Sequence, residues 1–128
     1  MQYLLLAYGN EEKFNALSEA EMAALVDRCM AYDEEFRATG KVTGGGSLAW
    51  ASKSMRLNGG KLVVTDGPYV ETREVVGGLV FFEAADWEEA VRLASLHPAA
   101  RMGEELGWGI ELRPMERCLL QRLVEEAA

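Results

Sequence analysis

The side chains that could do chemistry in this chain gather around one segment. Asp66 opens the run Asp66-Gly67-Pro68-Tyr69, followed by Glu71 and Arg73. A carboxylate at a strand end is well placed to act as a base or to hold a ligand. The same Asp can instead bond its own downstream N–H groups while Pro68 pushes Gly67 towards extended backbone, so a turn alone also accounts for the triplet. Glu71 and Arg73 share one alternation of an extended segment; as a surface ion pair they contribute only about 0–1 kcal/mol. In a cleft, Arg73 would clamp an anionic substrate and Glu71 would move a proton, with Glu111 and Arg113 facing the same space.

His97 is the sole histidine and stands directly before Pro98 at a helix end, where the negative end of the helix dipole would stabilise its cation. A catalytic role for it requires a cleft and a nearby carboxylate. Tyr8 and Tyr69 can hydrogen-bond a ligand or pack with a satisfied hydroxyl. The candidate catalytic set is therefore Asp66, Glu71 and His97, and the candidate ligand-binding set is Arg73, Tyr8, Tyr69, Glu111 and Arg113. A single histidine argues against a metal site. Gly44-Gly45-Gly46 lacks the following helix and Lys that hold a phosphate, and neither a dinucleotide fingerprint nor a nucleophile elbow is present, so no cofactor is expected.

These residues need elements to position them. Gln2 to Tyr8 is apolar on both alternations and reads as a strand buried on both faces. Ser18 with Glu21 forms a capping box, from which Met22, Leu25, Val26, Cys29 and Phe36 fall at helical spacing up to Gly40. Lys41 to Trp50 is strand-like, with its triple glycine a bulge, a bend or a close backbone contact. Ser54 to Leu57 and Lys61 to Thr65 flank Asn58-Gly59-Gly60 and predict a hairpin. Gly78 to Glu83 is a strand with large apolar groups on both faces. Asp86 with Glu89 starts a second helix, with Trp87, Ala90, Val91 and Ala94 as its stripe, ending near His97-Pro98. A short helical stretch over Ala99 to Leu106 precedes a strand at Gly109 to Pro114, and Met115 to Ala128 carries a last helical stripe.

Composition limits the function classes. The 21 acidic against 13 basic residues give a net charge of −8 without a basic stripe, which disfavours nucleic acid and anionic lipid. Apolar runs fall short of the roughly 20 residues of a membrane span, and the first residues lack a secretory pattern, so a cytoplasmic location is expected. Cys29 and Cys118 lie far apart and read as reduced packing residues. Neither a linker nor a repeat divides the chain: residues 1–115 read as one domain, with 116–128 as its helical extension.

The order β, α, β, hairpin, β, α, β predicts an α+β, ferredoxin-like split βαβ sandwich with an elaborated hairpin. Two helices cover one sheet face only, so the apolar residues of the other face call for a cover, and a second copy packed sheet to sheet is favoured over the C-terminal helix. Clefts between the protomers would then hold the site. The run from Asp66 to Gly78 (DGPYVETREVVGG) closely resembles the signature of the YCII-related family in its DGPF-motif branch. The resemblance extends to YLLLAYG, LSEAEMAAL, GGGSL and ELRP, covering residues 1 to 115. Tyr69 stands where the motif usually has Phe, and Arg73 where Lys is common.

The resemblance implies a ferredoxin-like fold forming a dimeric α/β barrel, a homodimer or larger, and a small anionic or cyclic molecule as partner. Residues and resemblance together lead to a small-molecule-binding protein or a lyase- or isomerase-like enzyme using acid–base residues in an inter-subunit cleft, with a non-catalytic regulatory or interaction module linked to extracytoplasmic-function sigma factors as the alternative. Another branch of the family pairs a His in the first long helix with an Asp. Ser18 to Thr39 contains no His, so that dyad has no counterpart here.

Overall fold

The first strand, β1 (Gln2–Gly9), alternates strictly between sides: Tyr3, Leu5, Ala7 and Gly9 are buried, while Leu4, Leu6 and Tyr8 are half-buried on the opposite face. A strand shows such alternation when helices cover one of its faces and not the other. The computed structural model describes residues 1–69 and 74–116. Within them, β1 is followed by α1 (Glu11–Asn15), α2 (Glu19–Arg37), β2 (Val42–Ser47), β3 (Lys53–Asn58), β4 (Lys61–Asp66), β5 (Val75–Glu83), α3 (Trp87–Ala94), α4 (Pro98–Arg101), α5 (Gly103–Leu106) and β6 (Gly109–Pro114). The main sheet has the order β2-β5-β1-β6 with every neighbour antiparallel, and β3 and β4 form a separate two-stranded sheet. This is the expected ferredoxin-like α+β arrangement with its additional hairpin.

Local chemistry explains the element boundaries. The Ser18 Oγ accepts from the Glu21 N–H at 3.1 Å and the Glu21 carboxylate accepts from the Ser18 N–H at 3.0 Å, closing the expected box at the start of α2. Asp86 caps α3 in the same way at 2.9 Å, but Glu89 reaches back to the N–H of Ala85 rather than of Asp86. Gly59 and Gly60, both at positive φ, make the two-residue turn between β3 and β4. α1 was not foreseen: its five residues are too few to show a helical period, and only Asn10, which accepts from the Lys13 N–H, marks its start.

The helix-facing side of the sheet grades from large to small. One row across it reads Pro114, Tyr3, Phe82, Val42; the next reads Leu112, Leu5, Val80, Gly45; the third reads Ile110, Ala7, Gly78, Ser47. Tyr3, Phe82 and Phe36 of α2 stack or meet edge to face with centroids 5.7–5.8 Å apart and fill the core at the first row. Towards the third row, glycine, alanine and serine leave nothing to meet α2. Two sequence expectations change accordingly. Of the α2 stripe only Leu25 and Phe36 are buried, Met22 and Cys29 are half-buried and Val26 is exposed, and the stripe of α3 turns to Ala90, Leu93 and Ala94 while Trp87 and Val91 are exposed.

The triple glycine combines two of its expected roles. Pairing with β5 shifts between Val42 and Gly44, a bulge, and Gly45 sits at φ +146° where an added Cβ would lie 2.4 Å from the Leu79 carbonyl oxygen. Gly46 has open space around the same position. Replacement of Gly45 by Ala is expected to destabilise the protein by about 2–4 kcal/mol through strain and backbone displacement. Replacement of Gly46 by Ala should stay within about 1 kcal/mol. Urea midpoints of the two variants check the difference.

Candidate functional site

The void left by the small residues is a cavity of about 490 Å³ between α2 and the β2 side of the sheet. Its floor is Ala7, Gly45, Ser47 and Gly78; its roof is the face of α2 from Met22 to Arg37. One end is aromatic. Trp50 lies over Gly9 and Gly77, whose missing Cβ atoms would stand 2.8 and 3.4 Å from its ring, Trp108 lies beside Gly9, and Phe14 meets Trp50 edge to face at 5.8 Å. Towards the other end come Phe36, His97, Asp33 and Arg37.

α2 is held over this space from its flank. Leu25 packs with Met102 and Leu106, and two cations fasten the helix to α4 and α5: Arg28 donates two hydrogen bonds to Glu105 at 2.8 and 3.1 Å, and Arg101 donates to Glu35 at 2.8 Å while lying over the Tyr32 ring. The Cys29 Sγ approaches the Met102 sulfur at 4.0 Å, and burial pushes its thiol pKa up, so it serves as a packing group rather than a ready thiolate.

His97 has a different role from that of a dipole-stabilised cation. Its Nδ1 accepts from the Ala99 N–H at 3.0 Å, which caps the start of α4, and its ring meets Phe36 edge to face at 6.2 Å. Burial lowers its pKa to about 4, against a smaller opposing pull from Asp33. The imidazole is therefore neutral at neutral pH, lines the cavity, and has a carboxylate in its field, the two conditions that could not be read from sequence. Asp33 itself accepts from the Arg37 Nε at 2.8 Å.

The other candidates lie elsewhere. Tyr8 donates to Glu111 at 3.2 Å on the face of the sheet that carries Leu4, Leu6, Leu79 and Phe81, and Arg113 is on that face opposite Leu4. Burial first, then the Glu111 charge, raises the Tyr8 phenol, so it remains a donor. Asp66 ends β4, is 86% exposed, and accepts from the Lys53 Nζ at 2.6 Å. Tyr69 is exposed and takes a hydrogen bond and ring contact from Arg56. Glu71 and Arg73, with Cys118 and the helical extension 116–128 beyond Glu116, lie outside the described residues. Of the described candidates, His97 lines the cavity and the Tyr8 position borders it, with the Tyr8 hydroxyl bonded on the opposite face, while Asp66, Tyr69, Glu111 and Arg113 stand away from it. Sequence reasoning missed Asp33, Arg37, Trp50 and Trp108 as a group. The signal was glycine and alanine recurring on neighbouring strands, which acquires meaning only once the register is known. Among the described residues no cluster of His, Cys, Asp and Glu could hold a metal ion, and no helix is long and apolar enough to cross a membrane.

The model of the YCII-related domain matches residues 1–106 of the chain. The protein belongs to the YCII-related family. An uncharacterised protein from Rhizobium meliloti is 28% identical over 96 residues, 73% of this chain and 77% of that protein. Among solved structures, TftG of Burkholderia phenoliruptrix, a 5-chloro-2-hydroxyhydroquinone dehydrochlorinase in complex with 2,5-dihydroxybenzoquinone, superposes with a TM-score of 0.51 at 15% identity, covering 92% of this chain and 96% of TftG. That likeness concerns the fold.

The pKa of His97 makes stability depend on pH. The unfolded state binds the proton near pH 6.5 and the folded state only near 4, so the full stability is present above about pH 6.5 and is lost as pH falls towards 4. The loss amounts to at most about 3 kcal/mol. In His97→Asn, which keeps an acceptor for Ala99, this part of the pH dependence should vanish. Urea denaturation of both proteins at intervals between pH 4 and pH 7 measures it.

Proposed function

We propose that this protein binds a small, mainly apolar, ring-bearing molecule in the cavity beneath α2. The cavity itself carries the reading. Its volume falls in the roughly 300–1,000 Å³ range of small-molecule sites, and its walls follow their usual pattern of apolar and aromatic surface with a few polar groups grouped together. The complex of TftG with 2,5-dihydroxybenzoquinone supports the same ligand class, a six-membered ring carrying oxygens.

We further propose that two copies pair through the sheet face opposite the helices. Leu4, Leu6, Leu79 and Phe81 are adjacent there, at the centre of the sheet and only half-buried in the single chain. An apolar centre between Glu111 and Arg113 on one side and glycines on the other suits an isologous contact. The Tyr8–Glu111 pair and Arg113 would then border an inter-subunit cleft, where acid–base chemistry of a lyase or isomerase type would draw on them and on the Asp66 to Arg73 segment.

A second reading, an interaction module, is favoured by the β3–β4 hairpin. Met55, Leu57, Leu62 and Val64 share one of its faces and are all exposed, while the other face carries Ser54, Arg56, Lys61 and Thr65 with Val63. An isolated two-stranded sheet is marginal in water, so this apolar face suits a protein partner.

Two measurements test these proposals. Single-ring and fused-ring phenols and ketones should quench tryptophan fluorescence saturably, because Trp50 and Trp108 line the cavity. Ser47→Leu, which fills the floor from an edge strand, should bind them at least about tenfold more weakly with no loss of thermal stability; equal affinity in the variant would refute the cavity as the site. Leu6→Lys should turn a dimer into a monomer in light scattering at micromolar concentration. A wild-type chain that is already monomeric there ends the pairing proposal.

A further inference from the structure

One polar atom in the cavity has a defined chemical demand. The His97 Nδ1 is occupied as an acceptor of the Ala99 N–H. A neutral imidazole that accepts at one nitrogen carries its proton on the other, so Nε2 is an N–H donor. Among the described residues nothing takes that proton: His97 makes no second hydrogen bond, and no side-chain nitrogen or oxygen sealed from solvent lacks a partner. Nε2 is therefore reachable from solvent, and His97 is among the residues that line the cavity.

The ring is also held in place. Pro98 fixes the backbone after it, Phe36 meets its plane edge to face, and rotation about the ring axis would break the bond to Ala99. A donor fixed in this way resembles the neutral imidazoles that polarise a substrate oxygen rather than remove a proton. The far end of the cavity offers ring surfaces, from Phe14, Trp50 and Trp108. Val42 to Leu48 of the lining spans roughly 20 Å of strand, room for one or two rings beside an acceptor group.

Building on the cavity as the ligand site, we infer that His97 is its specificity-determining residue: the site takes molecules that present an uncharged or anionic oxygen acceptor, a ketone or phenolate, to the Nε2–H, with their ring system towards Trp50 and Trp108. A ligand of the same shape without the acceptor leaves that donor without a partner once water is displaced, which disfavours it by about tenfold.

Acetophenone and its isostere ethylbenzene test this on the full chain by saturation-transfer NMR. Acetophenone should bind about tenfold more tightly than ethylbenzene. In His97→Asn, whose side-chain oxygen still caps α4 but whose amide is too short to reach the ligand, the two affinities should converge with that of ethylbenzene unchanged. Because the chain has a single histidine, its imidazole nitrogen spectrum is a one-residue reporter. It should show the Nε2-protonated tautomer, and its Nε2 signal should shift with acetophenone and not with ethylbenzene. Equal binding of both compounds to the wild type, or an unchanged preference in His97→Asn, overturns the donor role while the cavity reading stands. Binding of neither compound overturns the cavity reading and this inference with it.

Discussion

The helix α2 is a rigid rod laid over a sheet whose side chains shrink along its length, and the rest of the structure follows from that mismatch. A helix cannot bend to follow a graded floor without losing its own hydrogen bonds. At one end Phe36 seats on Phe82; about 16 Å back along the axis, Leu25 seats on Met102 and Leu106. Between these supports the floor is Ala7, Gly78, Gly45 and Ser47, and the gap remains open.

Holding a helix over a gap requires compensation from its sides. The Arg28–Glu105 and Arg101–Glu35 contacts tie α2 to the short helices rather than to the sheet. Exposed ion pairs add little to stability singly, about 0–1 kcal/mol. Their place here is at the flank of α2, one joining it to α5 and the other to α4. The same short helices carry His97, so the groups that hold the roof also place the donor.

The sheet thus has two unlike faces. The helix side is packed at one end and hollow at the other, suited to holding a molecule. The opposite side offers Leu4, Leu6, Leu79 and Phe81 flanked by Tyr8, Glu111 and Arg113, suited to meeting another surface. The motif from Asp66 to Gly78 is divided between two places: Asp66 bonds Lys53 across the β3–β4 hairpin, while Gly77 and Gly78 belong to β5 and line the cavity.

Much of this was legible in the sequence because its causes are local. The capping residues Ser18 and Asp86, the Asn58-Gly59-Gly60 turn, and the two-sided apolar strands at Leu4 to Leu6 and Leu79 to Phe82 each act within a few residues, and the ferredoxin-like order follows from them. The cavity was not legible, because it depends on which residues of three strands fall in one row. Ala7, Gly78 and Ser47 look unrelated until the antiparallel register sets them side by side beneath α2. His97 likewise looked like a charged helix terminus. Burial against Phe36 and one bond to Ala99 made it instead a neutral donor facing a hollow, and only the packed chain supplies those neighbours.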